Sequence, residues 1–489
     1  MIVDLFRIDL KTLTVLVPEA YAEFRPLVAD GLAFFLEHLS APRQAEIFQA
    51  QAALPADVNL FRRLVVFLRA CPALHKLAQV LARDRHLDLE LRRHLQELES
   101  LEPHTPDEQW QPALAMELSA AIEEYRIFLD RRSCAEGSVA VVVPLTWSDP
   151  AEARCPRRRR GVAKMLKPGI SDRLGEDLGV LGWLADHLDD YWATYGLPPV
   201  AYRETFRNVA ELLTDEVQLR LEQTHLRRAA EQFAGQSDLQ VPRLLPFCSA
   251  SVTAMERVDG YKVTDPQTAS PWRRPRLFHT LVRALLSQVL FSRDPSVLFH
   301  GDPHAGNLML THDGRLAILD WSLAGQLTEE DRIHTTQLLM GAWAMDGACV
   351  AAAVAALVTS EADAALIRHT VDSELADAPW YRPPGPAWAM GLLGSLVCAG
   401  VRFPPRLLLF RKALLTLEGV LADLCSTVSL ETALQVEALT QLAWEWPLRW
   451  LKPLHDRDYG THVSSADLAR LALRRLAAGT GFLHKCVSR

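Results

Sequence analysis

One segment constrains the fold more than any other part of the chain: residues 300–322, HGDPHAGNLMLTHDGRLAILDWS. Asp302 and Asn307 stand five residues apart in a loop broken by Pro and Gly, and Asp320 follows the second of two short apolar runs. The Asp-Gly pair between those runs is a hairpin signal, so the segment predicts a loop followed by two paired strands. Phosphoryl transfer needs magnesium ligands and a group that orients the acceptor hydroxyl, and these side chains supply both in the order typical of kinases.

Two other interpretations of this segment stay open. The first is an ordinary polar loop that precedes an unrelated aspartate at the end of a strand. The second is a metal site formed by His300, His304 and His312. The Gly and Pro residues between the first two histidines prevent a helix that would align them, which argues against the metal site.

A kinase-type site also needs a strand lysine that binds phosphate groups and a helix glutamate that holds this lysine. The strand signal GVAKML offers Lys164 among apolar neighbours, where a charge requires a partner. Glu222 follows in a run that predicts a helix. Each signal is weak alone, because Lys167 could fill the first role and a solvated helix face could explain the second. Together with the segment above, they favour a Lys164–Glu222 pair.

The whole chain predicts a helical front, a small β-rich unit and a large helical unit. Apolar spacing predicts helices over 60–70, 89–101, 206–234, 261–306 and from 328 onward. Short β-branched or apolar runs predict strands over 138–144, 161–166, 251–258, 307–310 and 315–319. The first two of these strands are expected to form a hairpin. The fold class is therefore α+β with two lobes.

Four regions follow from these changes in pattern. They are an N-terminal helical extension (1–130), a small nucleotide-binding lobe (131–260), a large catalytic lobe (261–430) and a C-terminal helical tail (431–489).

Composition and charge exclude several classes of protein. The net charge of −8, from 52 basic and 60 acidic residues, argues against a dedicated nucleic-acid binder. The eight cysteines form no C-x-x-C pair, which favours reduced thiols over disulfides or a zinc site. The N-terminus has no signal-peptide pattern, and no stretch of about 20 residues is apolar enough to span a membrane. We expect a cytoplasmic protein without a transmembrane segment.

Several motifs in collinear order over residues 60–330 resemble the UbiB/AarF family of atypical protein-kinase-like proteins. VAKMLKPGI is similar to the family's lysine strand, EVQLRLEQ to its E-x-D segment and AMERVDG to its hinge strand. HGDPHAGNLM is similar to its catalytic loop, H-x-D-P-H-x-G-N. Upstream, residues 76–106 resemble its K-x-G-Q helix-loop-helix, and SCAEGSVA resembles its Ala-rich nucleotide loop.

The resemblance implies a bilobal protein-kinase-like fold with an N-terminal helical extension and a mainly helical C-lobe. It also implies an enzyme that binds ATP or ADP with Mg²⁺, acts as a kinase or ATPase, and supports isoprenoid-quinone (ubiquinone) or other lipid metabolism. The expected partners are the nucleotide and lipid- or quinone-pathway proteins, with peripheral contact to a membrane and none to nucleic acid.

By position in the family motifs, Asp302 is the catalytic-loop aspartate, Lys164 and Glu222 form the phosphate-binding pair, and Asn307 and Asp320 hold metal. Other nucleotide contacts are expected from the loop and hinge residues Ala135, Gly137, Ser138, Val139, Met255, Glu256, Arg257 and Val258. The resemblance also implies a regulatory group, in which Lys76 and Gln79 reach the substrate region and Lys76 faces Glu216.

Some residues depart from the family pattern. Ala78 replaces the glycine of K-x-G-Q, and Gln218 replaces the aspartate of E-x-D. Further departures are Glu136, Gly137, Val141 and the pair Trp321-Ser322. Because the metal and phosphate ligands are kept, we expect nucleotide binding to persist. We expect these changes to affect autoinhibition and nucleotide preference.

The C-terminal tail carries Trp444, Trp446 and Trp450 beside Arg449 and Lys452, followed by an amphipathic helix predicted over 464–479. Aromatic and cationic residues in this arrangement suit a membrane interface. They suit packing against the large lobe equally well, and we expect packing.

Two alternatives to a UbiB-like kinase or ATPase remain. A small-molecule phosphotransferase of the aminoglycoside- or choline-kinase type also uses H-G-D-x-x-x-x-N followed by Asp-Trp. A pseudokinase scaffold would bind nucleotide without turnover. For the leading hypothesis we expect ATP hydrolysis with little phosphorylation of protein substrates, because the helices at 76–106 would cover the place where a peptide docks.

Overall fold

The structure is a computed structural model of the chain. It describes residues 17, 22, 24–55, 57–81, 89–96, 105–152, 157–197, 201–265, 273–359, 363–378 and 384–474. The chain divides into two compact units, the first formed by Met1–Ala230 with Pro242–Val258 and the second by Glu231–Val241 with Asp259–Arg489.

Helices and strands are numbered in chain order. The helices are α1 Arg25–His38, α2 Ala41–Ala52, α3 Leu60–Ala70, α4 Pro72–Leu81, α5 Leu89–Gln96, α6 Asp107–Glu117, α7 Ser119–Glu124, α8 Ile170–Tyr191, α9 Tyr202–Asp215, α10 Leu219–Gln232, α11 Arg274–Val282, α12 Gln288–Leu290, α13 Glu329–Trp343, α14 Gly347–Leu357, α15 Ala364–Ala376, α16 Pro386–Cys398, α17 Pro405–Leu424 and α18 Leu430–Arg449. The strands are β1 Phe128–Leu129, β2 Ala135–Glu136, β3 Ala140–Trp147, β4 Arg159–Leu166, β5 Leu239–Gln240, β6 Val252–Glu256, β7 Gly260–Lys262, β8 Ser296–His300, β9 Leu308–Thr311, β10 Leu316–Ile318 and β11 Ala324–Thr328.

The helical front of the first unit has its own core. Helix α3 begins where the Asn59 side chain accepts a hydrogen bond from the Arg62 amide at 2.9 Å. Its residues Phe61, Val65 and Leu68 share one face and are buried among side chains of α1, α2 and α5. The helix predicted over 60–70 is confirmed. The helix predicted over 89–101 begins as expected, and its residues 97–101 lie outside the described part of the chain.

The first unit also contains an antiparallel sheet in the order β1-β3-β4-β6, with β2 paired to β3. Strands β3 and β4 form the predicted hairpin, with Val142 opposite Lys164. Trp110 and Leu114 of α6 are fully buried against the sheet. The sheet, α6 and the α7 region thus enclose a second core in this unit.

The second unit holds a sheet in the order β5-β10-β9-β7 and a pair formed by β8 and β11. The hairpin predicted from residues 307–319 is confirmed as β9 and β10. Its turn closes through a hydrogen bond from the Gly314 amide to the Thr311 carbonyl, and Gly314 adopts φ +88°. Phe299 of β8 packs on Phe410 of α17 with ring centroids 5.2 Å apart, which joins the strand pair to the helices.

Three secondary-structure predictions are wrong in part. The helix predicted over 206–234 is interrupted between α9 and α10, at residues 216–218. Residues 296–300, predicted helical, form β8, and β11 lies just before the expected helix at 328. A short apolar run such as SVLFH cannot be assigned by periodicity, and here pairing with β11 decides the outcome. Residues 450–464, also predicted helical, are irregular, and a helix resumes over 465–474.

Candidate functional site

Lys164 lies near the middle of β4, between the buried residues Ala163 and Met165. Its Nζ atom is 2.7 Å from Glu222 Oε1, and the two side chains are only 9% and 1% exposed. An unpaired buried charge would be strongly unfavourable, so each member of this pair depends on the other. The structure therefore brings together the lysine and glutamate that the sequence paired.

Helix α10 positions Glu222 because one of its faces is buried. Leu219, Glu222, Leu226 and Ala229 recur on that face. Glu222 lies in the first turn, where the helix dipole favours a negative charge. Thr253 Oγ1 of β6 donates a hydrogen bond to the second carboxylate oxygen at 3.4 Å. The glutamate is thus held by both helix and sheet.

The expected nucleotide loop runs from β2 into β3. Ala135 lies in β2 and is exposed, whereas Ser138 and Val139 are buried. The Gly137 amide donates to the Ala140 carbonyl at 2.8 Å, which closes a tight turn between the strands. The loop is therefore a short, hydrogen-bonded hairpin turn.

The expected hinge residues follow one another at the end of β6. Met255 is buried and Glu256 is the last residue of the strand. Arg257 and Val258 follow it outside regular secondary structure and end the first unit. The Glu256 amide donates to the Arg243 carbonyl at 2.9 Å, so neighbouring backbone holds this end of the strand.

The expected regulatory pair lies within the first unit. Lys76 Nζ of α4 is 2.7 Å from Glu216 Oε2, and the side chains are 18% and 6% exposed. Glu216 caps the C-terminal end of α9, at the break between α9 and α10, and its side chain faces α4. Ala78 is buried in the core of the helical front, so the extra methyl group relative to glycine is accommodated there. The Gln79 side chain lies outside the described part of the chain.

His300 links two parts of the loop segment in the second unit. Its Nδ1 atom accepts a hydrogen bond from the Asp302 amide at 3.1 Å, so Nε2 carries the proton and donates to the Leu319 carbonyl at 2.8 Å. Complete burial lowers the pKa of this imidazole, in agreement with a neutral ring. Both ring nitrogens are used within the protein, so the alternative of a histidine metal site does not fit His300.

Asp302 has a partner that the sequence did not indicate. Lys412 Nζ of α17 lies 2.9 Å from Asp302 Oδ1, and both side chains are partly exposed. The residues are 110 positions apart, and no motif marks Lys412. An amphipathic spacing analysis of α17 could have placed Lys412 on a polar face, but it could not have identified its partner.

Asn307 and Asp320 are held by the backbone around them. Asn307 Nδ2 donates to the Asp302 carbonyl at 3.0 Å, which leaves the amide oxygen as the atom suited to a cation. The Leu319 amide donates to the Asn307 carbonyl at 2.8 Å. Asp320 adopts φ +50°, an uncommon conformation for a residue other than glycine. Trp321, one of the departures from the family pattern, is fully buried and packs on His300 with ring centroids 4.9 Å apart.

The donor set of these residues fits magnesium bound together with a nucleotide. Among the residues that the structure describes, no group of three or more His, Cys, Asp or Glu side chains is placed to hold a metal ion. A kinase-type site takes one carboxylate and one amide oxygen from the protein and its other ligands from phosphates and water. Asp320 and Asn307 offer the required hard oxygen atoms.

The expected site residues thus belong to two sets. The first unit contains Lys164, Glu222, the loop and the hinge, and the second contains Asp302, Asn307 and Asp320. Sequence reasoning also missed the partners of Glu136, which was regarded only as an interruption of the Ala-rich loop. Its carboxylate is 2.6 Å from Lys167 Nζ and accepts hydrogen bonds from the amide and hydroxyl of Thr105.

A strand lysine paired with a helix glutamate and an Asp–Asn–Asp set around a hairpin define a kinase-like protein. Residues 97–354 match the ABC1 atypical kinase-like domain. The chain belongs to the UbiB/AarF family of atypical kinase-like proteins, as the sequence motifs indicated. The α+β, kinase-like fold class is confirmed with it.

Relatives share a quarter or more of their aligned residues with this chain. The probable protein kinase UbiB of Shewanella halifaxensis is 27% identical over 323 residues, which are 63% of this chain and 56% of the relative. A chloroplastic aarF domain-containing protein kinase of Arabidopsis thaliana is 29% identical over 238 residues, 46% of this chain and 41% of the relative. The chain spans about half the length of the curated relatives it matches.

A solved structure also aligns with the chain. It is the complex of Rv3197 with erythromycin from Mycobacterium tuberculosis, with a TM-score of 0.45 and 16% identity over 83% of this chain and 94% of that chain.

Proposed function

We propose that the protein binds ATP with Mg²⁺ and acts as an ATP-dependent phosphotransferase or ATPase. The observation that carries the proposal is the buried Lys164–Glu222 ion pair in a chain of the atypical kinase-like family. Such a pair holds the lysine ammonium ready for the phosphate groups of a nucleotide.

Each proposed role follows from the side chain concerned. Lys164 neutralises phosphate charge, and Glu222 keeps its ammonium in place. Asn307 and Asp320 hold magnesium, which neutralises the phosphates when bound. Asp302 orients the attacking hydroxyl or water and accepts its proton, while Lys412 fixes the position of its carboxylate.

A role in isoprenoid-quinone or other lipid metabolism is part of the proposal. Membership of the UbiB/AarF family and similarity to kinases named UbiB support this part. We further propose that the protein hydrolyses ATP but phosphorylates protein substrates poorly, with Lys76 and Glu216 as a regulatory pair. The two alternatives are a small-molecule phosphotransferase, favoured by the pair Asp320-Trp321, and a pseudokinase scaffold.

A nucleotide-binding titration with Asp320→Asn tests the proposal. Asparagine keeps the shape of the side chain but removes the charge that binds magnesium. We therefore expect the magnesium-dependent nucleotide affinity to fall about tenfold or more relative to the natural protein, with an unchanged melting temperature. Asp313→Asn is the matched control, because Asp313 lies in the same hairpin but is 57% exposed in its turn and pairs with Arg315. Equal loss in both variants, or none in either, would contradict the proposed metal role.

Turnover assays separate the alternatives. ATP hydrolysis that lipid or quinone-like additives stimulate supports the leading proposal. Transfer of phosphate to a member of a panel of hydroxylated small molecules supports the small-molecule phosphotransferase. Tight nucleotide binding without either reaction supports the scaffold.

The expected packing of the tail tryptophans is wrong. Trp444, Trp446 and Trp450 are 79%, 55% and 77% exposed, and Leu451 is 83% exposed. The inner face of α18 is occupied by other residues, and its last turn is fixed by a buried ion pair in which Arg449 Nη2 lies 2.6 Å from Glu445 Oε2. The indole rings therefore lie on the outside of an ordered segment.

We propose that the exposed side chains of Trp444, Trp446 and Trp450 contact a lipid bilayer. An indole ring combines an apolar body with a polar N–H group and therefore favours the membrane interface. No helix in the described part of the chain is both long and apolar enough to cross a bilayer. We expect the protein to float with phosphatidylcholine vesicles, and the double variant Trp444→Ser/Trp450→Ser to lose about tenfold or more of this binding. Trp183→Ser is the control, because Trp183 of α8 is also exposed, at 56%. Flotation that the double variant leaves unchanged would contradict the proposal.

A further inference from the structure

A strap of irregular backbone, residues 450–464, connects α18 to the helix that resumes at residue 465. The last part of the strap is buried, with at most 5% exposure at Tyr459, Thr461, His462 and Val463. Gly460 lies so close to neighbouring backbone that a Cβ atom there would come within 2.8 Å of the Phe291 carbonyl oxygen. The end of the strap is therefore packed into the second unit.

Helix α18 holds the strap through a buried polar network. Arg449 Nη2 donates to Thr461 Oγ1 and Nη1 to the Val463 carbonyl, both at 2.9 Å. Glu445 accepts hydrogen bonds from the Thr461 amide at 2.8 Å and from the Thr461 hydroxyl at 2.7 Å. The Glu445 carboxylate is thus already engaged by Arg449 and Thr461.

His462 follows this network and is 1% exposed. Among the residues that the structure describes, neither ring nitrogen of His462 has an aligned hydrogen-bonding partner. The Ser292 carbonyl faces the ring, but it already accepts a hydrogen bond from Arg332 Nη2 at 3.3 Å. A buried charge needs a partner, so this position favours the neutral ring.

Charged side chains from two helices act on the ring. They are Glu329 and the fully buried Arg332 of α13, and Glu445 of α18. Burial and the Arg332 charge lower the pKa of His462, whereas the Ser292 carbonyl and the two glutamates oppose this effect. Glu329 is exposed to solvent, and Glu445 is already paired. A proton on His462 would therefore meet the Arg332 guanidinium without a carboxylate of its own.

We propose that His462 is a pH-sensitive latch for the strap. The neutral ring stays buried beside Arg332, whereas a proton taken up from solvent adds a second cation there and favours release of the strap. The strap carries the exposed side chains of Trp450 and Leu451, so its release would move an apolar surface away from α18. The latch needs neither nucleotide nor membrane and stands independently of the proposed function.

The direction and size of the effect follow from proton linkage. A histidine on the released strap titrates near the ordinary pKa of about 6.5, whereas the docked ring has a lower pKa. Above about pH 6.5 neither form is protonated, and docking has its full strength. As pH falls below that value, the released form binds a proton that the docked form does not. The equilibrium constant for release should then rise by up to about tenfold per pH unit.

The test is hydrogen exchange of the full chain, measured by mass spectrometry at about pH 7.5 and about pH 5.5. Protection factors correct for the intrinsic exchange rate at each pH, so they report the opening of the segment itself. Peptides within residues 450–464 should lose up to about tenfold of their protection at the lower pH. Peptides of α17 in the same unit should keep theirs.

Variants assign the pH dependence to one side chain. His462→Asn removes the titratable ring and suits the backbone, because His462 adopts φ +56° and asparagine tolerates this left-handed conformation. Strap protection in this variant should be independent of pH. His455→Asn is the matched control, because His455 lies in the same strap but is exposed to solvent. It should keep the pH dependence of the natural protein.

Any one of four results would overturn the proposal. They are unchanged strap protection in the natural protein, a parallel loss of protection in α17, a pH dependence that His462→Asn retains, and a pH dependence that His455→Asn abolishes. If the strap of His462→Asn lacks protection even at about pH 7.5, His462→Gln decides by the same criteria. Its longer side chain fills more of the volume of the ring.

Discussion

Replacing either member of the Lys164–Glu222 pair should destabilise the small sheet of the first unit. Lys164→Met removes the ammonium group and leaves the carboxylate of Glu222, which is 1% exposed, without its ion-pair partner. Glu222→Gln removes the opposite charge and leaves the lysine in the same buried position. Both replacements keep most of the side-chain volume, so the loss of charge dominates over the creation of a cavity.

The size of the effect follows from burial. Breaking a buried ion pair by removing one partner costs about 3–5 kcal/mol, because the remaining charge is uncompensated. Removing both charges avoids that penalty. The double variant should therefore be more stable than the sum of the single effects implies, with a coupling of about 0.5–3 kcal/mol.

Hydrogen exchange of the β4 and β6 amides, measured by mass spectrometry, provides the free energy of opening for this sheet alone. A local probe is needed because a chain of two units need not unfold in one step. The control is the Arg203–Asp186 pair, whose side chains are 51% and 50% exposed. Solvent screens exposed ion pairs and makes them weak, so the coupling of this control pair should be smaller.

Additive effects of Lys164→Met and Glu222→Gln would refute the reasoning. The same holds if the buried pair couples no more strongly than the exposed control pair. Either result would mean that the two side chains do not compensate each other's charge in the folded protein.

Two further predictions concern residues that the sequence did not single out. Lys412→Met removes the ammonium group that lies 2.9 Å from Asp302. Turnover of ATP should therefore fall about tenfold or more, while nucleotide affinity stays the same. A changed affinity with normal turnover would contradict this prediction. Burial raises the pKa of Asp177 to about 6, so the folded state takes up a proton that the unfolded chain takes up only near about pH 4. As pH falls from about 6 to about 4, the free energy of unfolding of the natural protein should therefore increase relative to that of Asp177→Asn by up to about 3 kcal/mol. Urea unfolding at both pH values measures this difference. A decrease over the same pH range would contradict the prediction.

Local sequence was sufficient to find the residues of the candidate site. The segment 300–322 carries its turn, its strands and its three polar side chains within a short stretch, so their relation depends on neighbouring backbone alone. The same holds for Lys164 on its strand and Glu222 on its helix, because each periodicity is a local property. Family motifs then supplied the pairing of Lys76 with Glu216, which the structure places 2.7 Å apart.

Tertiary structure decided what depends on contacts between distant residues. Strand β8 forms because it pairs with β11, and Asp302 meets Lys412 across 110 positions of sequence. Composition likewise could not choose between packed and exposed tryptophans in the tail, since the answer depends on which face of α18 the rest of the second unit covers. The sequence by itself determined the elements and the reactive groups, because spacing along one chain encodes them. Only the folded chain decided their partners and their exposure, because those depend on burial against residues far away in sequence.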